Sequence, residues 1–135
     1  MKSVTIVADD KVGLLADISY VLAKSKINIE AINVDVISAK AVITIGLNDV
    51  ARGKQVIEAA GYKVEDPEAI VIKISEKPGE LKKFTDNLTK EGVGVKTSTV
   101  LTKDNVHLIV ALTVDKHKRA VAILKDYLIT NESEY

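Results

Sequence analysis

Asp9-Asp10-Lys11-Val12-Gly13-Leu14-Leu15 separates two apolar rhythms. Before it, Val4, Ile6 and Ala8 recur at every second residue, the period of a half-buried strand. After it, Leu15, Ile18 and Leu22 recur at helical spacing, with Leu14 and Val21 widening the stripe. A strand therefore turns into a helix across Gly13. The first backbone N–H groups of such a helix have no partner within it, and the positive end of the helix dipole favours an anion beside them. The stretch from Val12 to Leu15 is thus a candidate cradle for a carboxylate or phosphate.

The same reading applies a second time. Glu76-Lys77-Pro78-Gly79-Glu80-Leu81 follows Ile70, Ile72 and Ile74, and an offset of 66 residues lays Gly79 over Gly13. At that offset Ile18 meets Phe84, Leu22 meets Leu88, and Ile27 and Ile29 meet Val93 and Val95. Agreement of pattern over this length is the mark of an internal repeat. The chain is accordingly read as two domains, 1–66 and 67–135, with Asp66-Pro67 as punctuation, because proline cannot continue a ladder.

Within each copy the elements follow one another by their phases. Ser25-Lys26 and Glu91-Gly92 end the first helices. The next strand runs Ile27, Ile29, then jumps in parity to Ile32, Val34 and Val36, which places a bulge near Glu30-Ala31. Ser38-Ala39-Lys40 and Thr102-Lys103-Asp104-Asn105 read as hairpin turns, the second one residue longer, so the offset becomes 67. Ile43, Ile45 and Leu47 then match Val110, Leu112 and Val114 as third strands. Asn48-Asp49 and Asp115 read as N-caps of second helices. Val56, Ile57 and Ala60 mark the stripe of one, and Ala120, Val121, Leu124 and Tyr127 that of the other. Gly61 reads as a C-cap. Tyr62 to Glu65 supplies a short fourth strand, for which the second copy offers Leu128, Ile129 and Thr130 before an acidic, frayed tail. Each copy is strand-helix-strand-strand-helix-strand, so the expected class is α+β: two ferredoxin-like units with antiparallel sheets and helices on one face.

Composition narrows the function classes. Of 135 residues, 47% are apolar and 28% charged, which suits a packed globular fold without metal support. Nineteen basic side chains balance nineteen acidic ones, so no long-range field draws the chain to nucleic acid or to anionic lipid. There is no cysteine, which removes disulfides, thiolate nucleophiles and most structural zinc sites. Charge begins too early for a signal peptide and no apolar run spans a membrane, so the cytoplasm is the expected compartment. His107 and His117 have no patterned acidic partner and are read as surface or structural residues. The run Lys116-His117-Lys118-Arg119 is read as a solvated helix end. Tyr20, Tyr62, Tyr127 and Tyr135 are scattered, unlike the paired strand aromatics of an RNA-stacking sheet. No catalytic motif occurs, and no catalytic residue, metal or cofactor is expected.

The duplicated pattern, each copy opening with an acidic residue, a lysine, a turn glycine and a leucine, resembles the ACT domain, a small regulatory module of amino-acid metabolism that also occurs as free-standing tandem pairs. Pro78-Gly79-Glu80-Leu81 matches the family's turn well. The first copy keeps Gly13 and Leu15 but carries Val12 where the family usually has proline. Lys26-Ile27-Asn28-Ile29 resembles a later element whose asparagine, in amino-acid-binding members, contacts the ligand from a neighbouring domain. In the second copy Gly94 occupies that position. Asp10 aligns with a loop position that in some members carries a ligand-bound asparagine; Glu76 is its counterpart. The resemblance implies a ligand site at Asp10, Val12, Gly13, Leu14, Leu15, Asn28 and Ile29. Glu76, Gly79, Glu80 and Leu81 are the second-copy counterparts, with a poorer donor set because glycine offers no side-chain amide.

Taken singly, each of these residues has a structural role that would account for it: glycine for the turn, acid for the helix dipole, asparagine for a turn. Their combination favours a regulatory module that binds a small amino acid or a related carboxylate at an inter-domain cleft. The alternatives are an interaction protein without a ligand, assembling with itself or with a partner enzyme, and an acylphosphatase-like hydrolase on the same fold class. A second apolar phase, Val7, Val42, Val71, Ile109 and Ala111, asks for cover on the other sheet face and so points to a homodimer or larger homo-oligomer.

Overall fold

The computed structural model describes residues 2–129. The chain divides into two compact units that meet at Pro67 and Glu68. Thr130, Tyr135 and the acidic tail lie outside the described residues.

The first unit runs β1 (Lys2–Asp9), α1 (Leu14–Lys24), β2 (Ile29–Ile37), β3 (Lys40–Leu47), α2 (Val50–Ala59) and β4 (Lys63–Val64). Its sheet has the order β2-β3-β1-β4, and every neighbouring pair is antiparallel. The alternation read from the sequence sets the inner face: Val4, Ile6, Ile43 and Ile45 are without accessible surface, packed with Ile18 and Leu22 of α1 and Ile57 of α2. Each such fully buried side chain contributes about 1.5–3 kcal/mol relative to exposure. The bulge expected near Glu30-Ala31 is present between Ile29 and Ala31. The β2–β3 hairpin closes on two residues, Ser38 and Ala39, both at positive φ, so Lys40 belongs to β3 rather than to the turn.

The second unit runs β5 (Ile70–Ser75), α3 (Glu80–Lys90), β6 (Val95–Lys103), β7 (His107–Val114), α4 (His117–Ile123) and a single 3-10 turn over Lys125–Tyr127. Its antiparallel sheet has the order β5-β7-β6. A fourth strand is reduced to a bridge between Ile72 and Leu128, with Ile129 N–H donating to Val71 O at 3.3 Å. Phe84 and Leu88 of α3 pack with Ile70, Ile72, Val110 and Leu112, and the Phe84 ring meets Tyr127 edge-on at 4.4 Å.

Several expectations are corrected. The buried stripe of α1 is Leu14, Ile18 and Leu22, while Leu15 is 40% exposed. Ala60 is an exposed C-cap, and Gly61 follows it at positive φ. Thr102 and Lys103 lie in β6, leaving Asp104-Asn105-Val106 as the turn. Asp104 Oδ1 accepts the N–H groups of Val106 and His107, each at 2.7 Å. Asp49 caps α2 by accepting Arg52 N–H at 3.1 Å, but Lys116, not Asp115, is the N-cap of α4. Val42, Val71 and Ile109 are fully buried. These three positions therefore do not carry the case for a second copy, which passes to another surface.

That surface is the edge strand β2, at one end of the strand order of its sheet. Ile32, Val34 and Val36 are 47%, 39% and 51% exposed along it. They lie opposite Ile45, Ile43 and Ala41, on the sheet face that carries the helices.

Candidate functional site

The site grows from the end of β1. Asp9 pairs across the sheet with Lys40, and their side chains form an ion pair that lowers the Asp9 carboxyl below its ordinary value of 3.8. Asp10 N–H donates to Ala39 O at 2.9 Å, which anchors the loop to the β2–β3 hairpin. The chain then reverses through Gly13, whose φ of 87° and ψ of 0° lie in the left-handed region that glycine occupies without strain. Gly79 holds φ 84° and ψ −4° at the start of α3, so the two turns have one geometry. Asp17 N–H donates to Gly13 O at 2.9 Å as the first α-helical bond, and Leu14 N–H donates to Lys11 O at 3.2 Å. No side chain caps α1. The Leu14 N–H is therefore occupied, which leaves the other N–H groups of the turn for the expected anion cradle.

Between this loop and the sheet lies a cleft of about 290 Å³, lined by Asp10, Lys11, Gly13, Leu14, Leu15, Ala16, Val34, Ala41 and Ile43. Its floor is made by the buried side chains of Leu14, Ala41 and Ile43, and its exposed rim includes Asp10, Lys11, Leu15 and Val34. The volume sits at the lower edge of the ~300–1,000 Å³ range of small-molecule sites. An apolar floor with a carboxylate, an ammonium and a helix N-terminus at the rim can hold a zwitterion or a small carboxylate by one charged end and one hydrocarbon end.

Asp10, Gly13, Leu14 and Leu15 thus come together. Val12 does not line the cleft; it stands fully exposed in the loop. Asn28 and Ile29 lie elsewhere. Ile29 pairs with Leu47, at the end of β3 opposite to the Lys40 end that meets Asp9, so nearly the full length of the strand, roughly 20 Å, intervenes. Asn28 N–H donates to Asn48 Oδ1 at 3.1 Å, and Asn48 N–H to Asn28 O at 3.4 Å. In the second unit Gly94 N–H donates to Asp115 Oδ1 at 2.8 Å, and Asp115 N–H to Gly94 O at 3.0 Å. A Cβ at Gly94 would lie 2.8 Å from Asp115 Oδ2. The carboxylate fills the space that a side chain there would need.

Glu76, Gly79, Glu80 and Leu81 take the equivalent places in the second unit. Glu76 N–H donates to Val106 O at 3.0 Å, as Asp10 does to Ala39, and Leu81 packs partly into the core. Lys11, Ala16, Val34, Ala41 and Ile43 were not among the expected ligand contacts, although Lys11 is the lysine of the turn motif; the register of β2 on β3 and of β3 on β1 is the signal that joins the last three to the loop. The Lys116–Arg119 run is not simply solvated. Lys116 Nζ donates to Gly92 O at 2.7 Å and Arg119 Nε to Glu91 O at 3.1 Å, capping α3. Arg52 Nη2 does the same for Ser25 O at 2.8 Å in the first unit. His117 Nδ1 lies 4.0 Å from Glu68 Oε2, an acidic neighbour the sequence pattern had not shown. Among the described residues no group of three metal-ligating side chains converges, and no helix is long and apolar enough to cross a membrane.

Comparison with known proteins adds a family match over most of the first unit. Residues 2–60 match the model of the ACT domain. No curated protein sequence matches the chain. Similar solved structures include a protein from Bacteroides thetaiotaomicron, at 21% identity and TM-score 0.48, covering 93% of this chain and 86% of that one. They also include the regulatory subunit of aspartate kinase from Thermus thermophilus, at 13% identity and TM-score 0.44, covering 93% and 90%. The acetolactate synthase small subunit from Thermotoga maritima stands at 14% and 0.41, covering 94% and 88%. Residues 2–60, the greater part of the first unit, are an ACT domain by that match.

Proposed function

We propose that the chain is a non-catalytic, cytoplasmic regulatory module of two ACT-like domains, 1–66 and 67–135, and that the first binds a small amino acid or a related carboxylate metabolite. The observation that carries this reading is the cleft between the glycine turn at α1 and the sheet. The ligand carboxylate would lie at the turn, with Asp10 toward its ammonium group. Asn28 is too far from the cleft of its own unit to join it. Two-fold antiparallel pairing of β2 with β2 of a second copy would bring the partner's Asn28 end to the cleft end, so the complete site is an inter-domain one in a homodimer. A ligand bridging two copies stabilises one arrangement over another, which is a physical route to control of a partner enzyme.

Thermal unfolding against the standard amino acids, with mass by light scattering alongside, tests the reading. A ligand at about 100 times its dissociation constant should stabilise the folded chain by roughly 2.7 kcal/mol. Asn28→Ala should weaken that response and leave the unliganded chain folded. A melt unmoved by every amino acid, with assembly retained, would favour the second reading, a ligand-free interaction module. The exposed apolar row Ile32, Val34 and Val36 on the edge strand β2 supports that alternative.

A further inference from the structure

The two units build the inner end of their sheets from different residues. In the first, Ala8 of β1 pairs with Ala41 of β3. In the second, Ile74 of β5 pairs with Leu108 of β7. The pairs are equivalent, because the next inner pair is Ile6 with Ile43 in one sheet and Ile72 with Val110 in the other. Ile74 and Leu108 are buried in the core of their unit. Ala41 is likewise buried in the core of its unit and also forms part of the floor of the cleft. Leucine at the Ala41 position would extend into that space.

We propose that Ala41 is the specificity-determining residue of the first-unit cleft, and that the ligand is an amino acid with an aliphatic side chain whose hydrocarbon end lies on Ala41, Val34 and Ile43. This rests on the amino-acid-binding reading and deepens it. The floor side chains Leu14, Ala41 and Ile43 are wholly apolar, and Val34 and Leu15 at the rim still present apolar surface to water. A hydroxyl or carboxylate on the ligand's side chain would be desolvated there without a hydrogen-bonding side chain to meet it. A hydrocarbon side chain instead covers the surface that is left wet. Asp10 and Lys11 remain at the exposed rim for the charged α-amino and α-carboxylate groups. Ala41 supplies room, and the isoleucine and leucine of the equivalent pair make the second unit unsuited to the same ligand.

The test is calorimetric titration of the full chain with L-valine, L-isoleucine, L-leucine, L-serine and L-aspartate, on wild type, Ala41→Leu and Ala41→Val. The wild type should bind its best aliphatic ligand at least about tenfold more tightly than serine or aspartate, since a single methylene in an apolar site is worth roughly tenfold or more. Ala41→Leu, which copies the second unit, should lose at least about tenfold in that affinity. Ala41→Val, the smaller change should Ala41→Leu fail to fold, should shift the preference toward a shorter side chain, which general destabilisation would not do. Serine or aspartate binding as tightly as the aliphatic ligands, or both variants binding as wild type, overturns the inference and leaves the carboxylate-binding reading standing. Absence of binding by all five overturns the inference, and the melt against all the standard amino acids then decides the wider reading.

Discussion

Gly13 and Gly79 show what a single residue contributes. A Cβ at either would meet nothing within 4 Å, so alanine is opposed only by the left-handed backbone, at about 1–2 kcal/mol. Gly13→Ala and Gly79→Ala should therefore lower stability in denaturant melts by similar amounts, while only Gly13→Ala should blunt the response to an amino acid. Asp104 offers a second test. The N–H groups of His107 and then Val106 hold its carboxyl below its ordinary value of 3.8. A depressed carboxyl contributes stability that is present above the unfolded value and lost as pH falls through the folded one. Acid melts should show wild type losing stability below pH 3.8, and Asp104→Asn, which keeps an acceptor but no charge, losing less. The turn glycines were legible because they punctuate a change of period. Asp115 was not, because a short acid before a helix suits a cap and a strand-end clamp equally well, and only the place of Gly94 N–H decides between them.

Among the elements, α2 approaches its sheet through a glycine. Gly53 is buried in it, and a Cβ there would lie 2.3 Å from Leu47 Cδ1, in a side chain itself buried in the core. Gly53→Ala would gain about 1 kcal/mol in helix propensity but force overpacking that costs about 1–3 kcal/mol. A net loss, visible as a lower urea midpoint with unchanged slope, is expected; a gain would mean that Leu47 can turn aside. The phases revealed each strand and helix, but not the rotation of α1. Leu14 and Leu15 are both apolar, so either could head the buried stripe, and the structure gives the core to Leu14 and the cleft rim to Leu15. The cleft itself was hidden for a related reason: alanine at positions 8 and 41 continues the alternation as well as any larger residue, and only the pairing register shows that the small residues coincide.

At the scale of the whole molecule, the exposed apolar row Ile32, Val34 and Val36 on the edge strand β2 predicts a dimer in solution by light scattering at tens of micromolar. Val36→Lys, which places a charge on that edge, should reduce the mass toward that of one chain; a wild-type monomer would remove this role for β2. The repeat organisation was legible throughout, since offsets of 66 and 67 keep the apolar phases together, whereas the fourth strand of the second unit was legible only as a remnant because it is a single bridge. The Tyr62 hydroxyl donates to Asp17 Oδ2, tying the end of the first unit to α1. The chain has no tryptophan, so its near-ultraviolet absorbance is dominated by tyrosine. Asp17, by accepting that proton, holds the Tyr62 phenol above its ordinary value of 10.0, and unfolding releases it. The stability this contact adds is present below the unfolded value and is lost as pH rises through the folded one. The half that carries the cleft is therefore equipped with its own label-free optical reporter, and an alkaline absorbance titration can follow Tyr62 as that half opens.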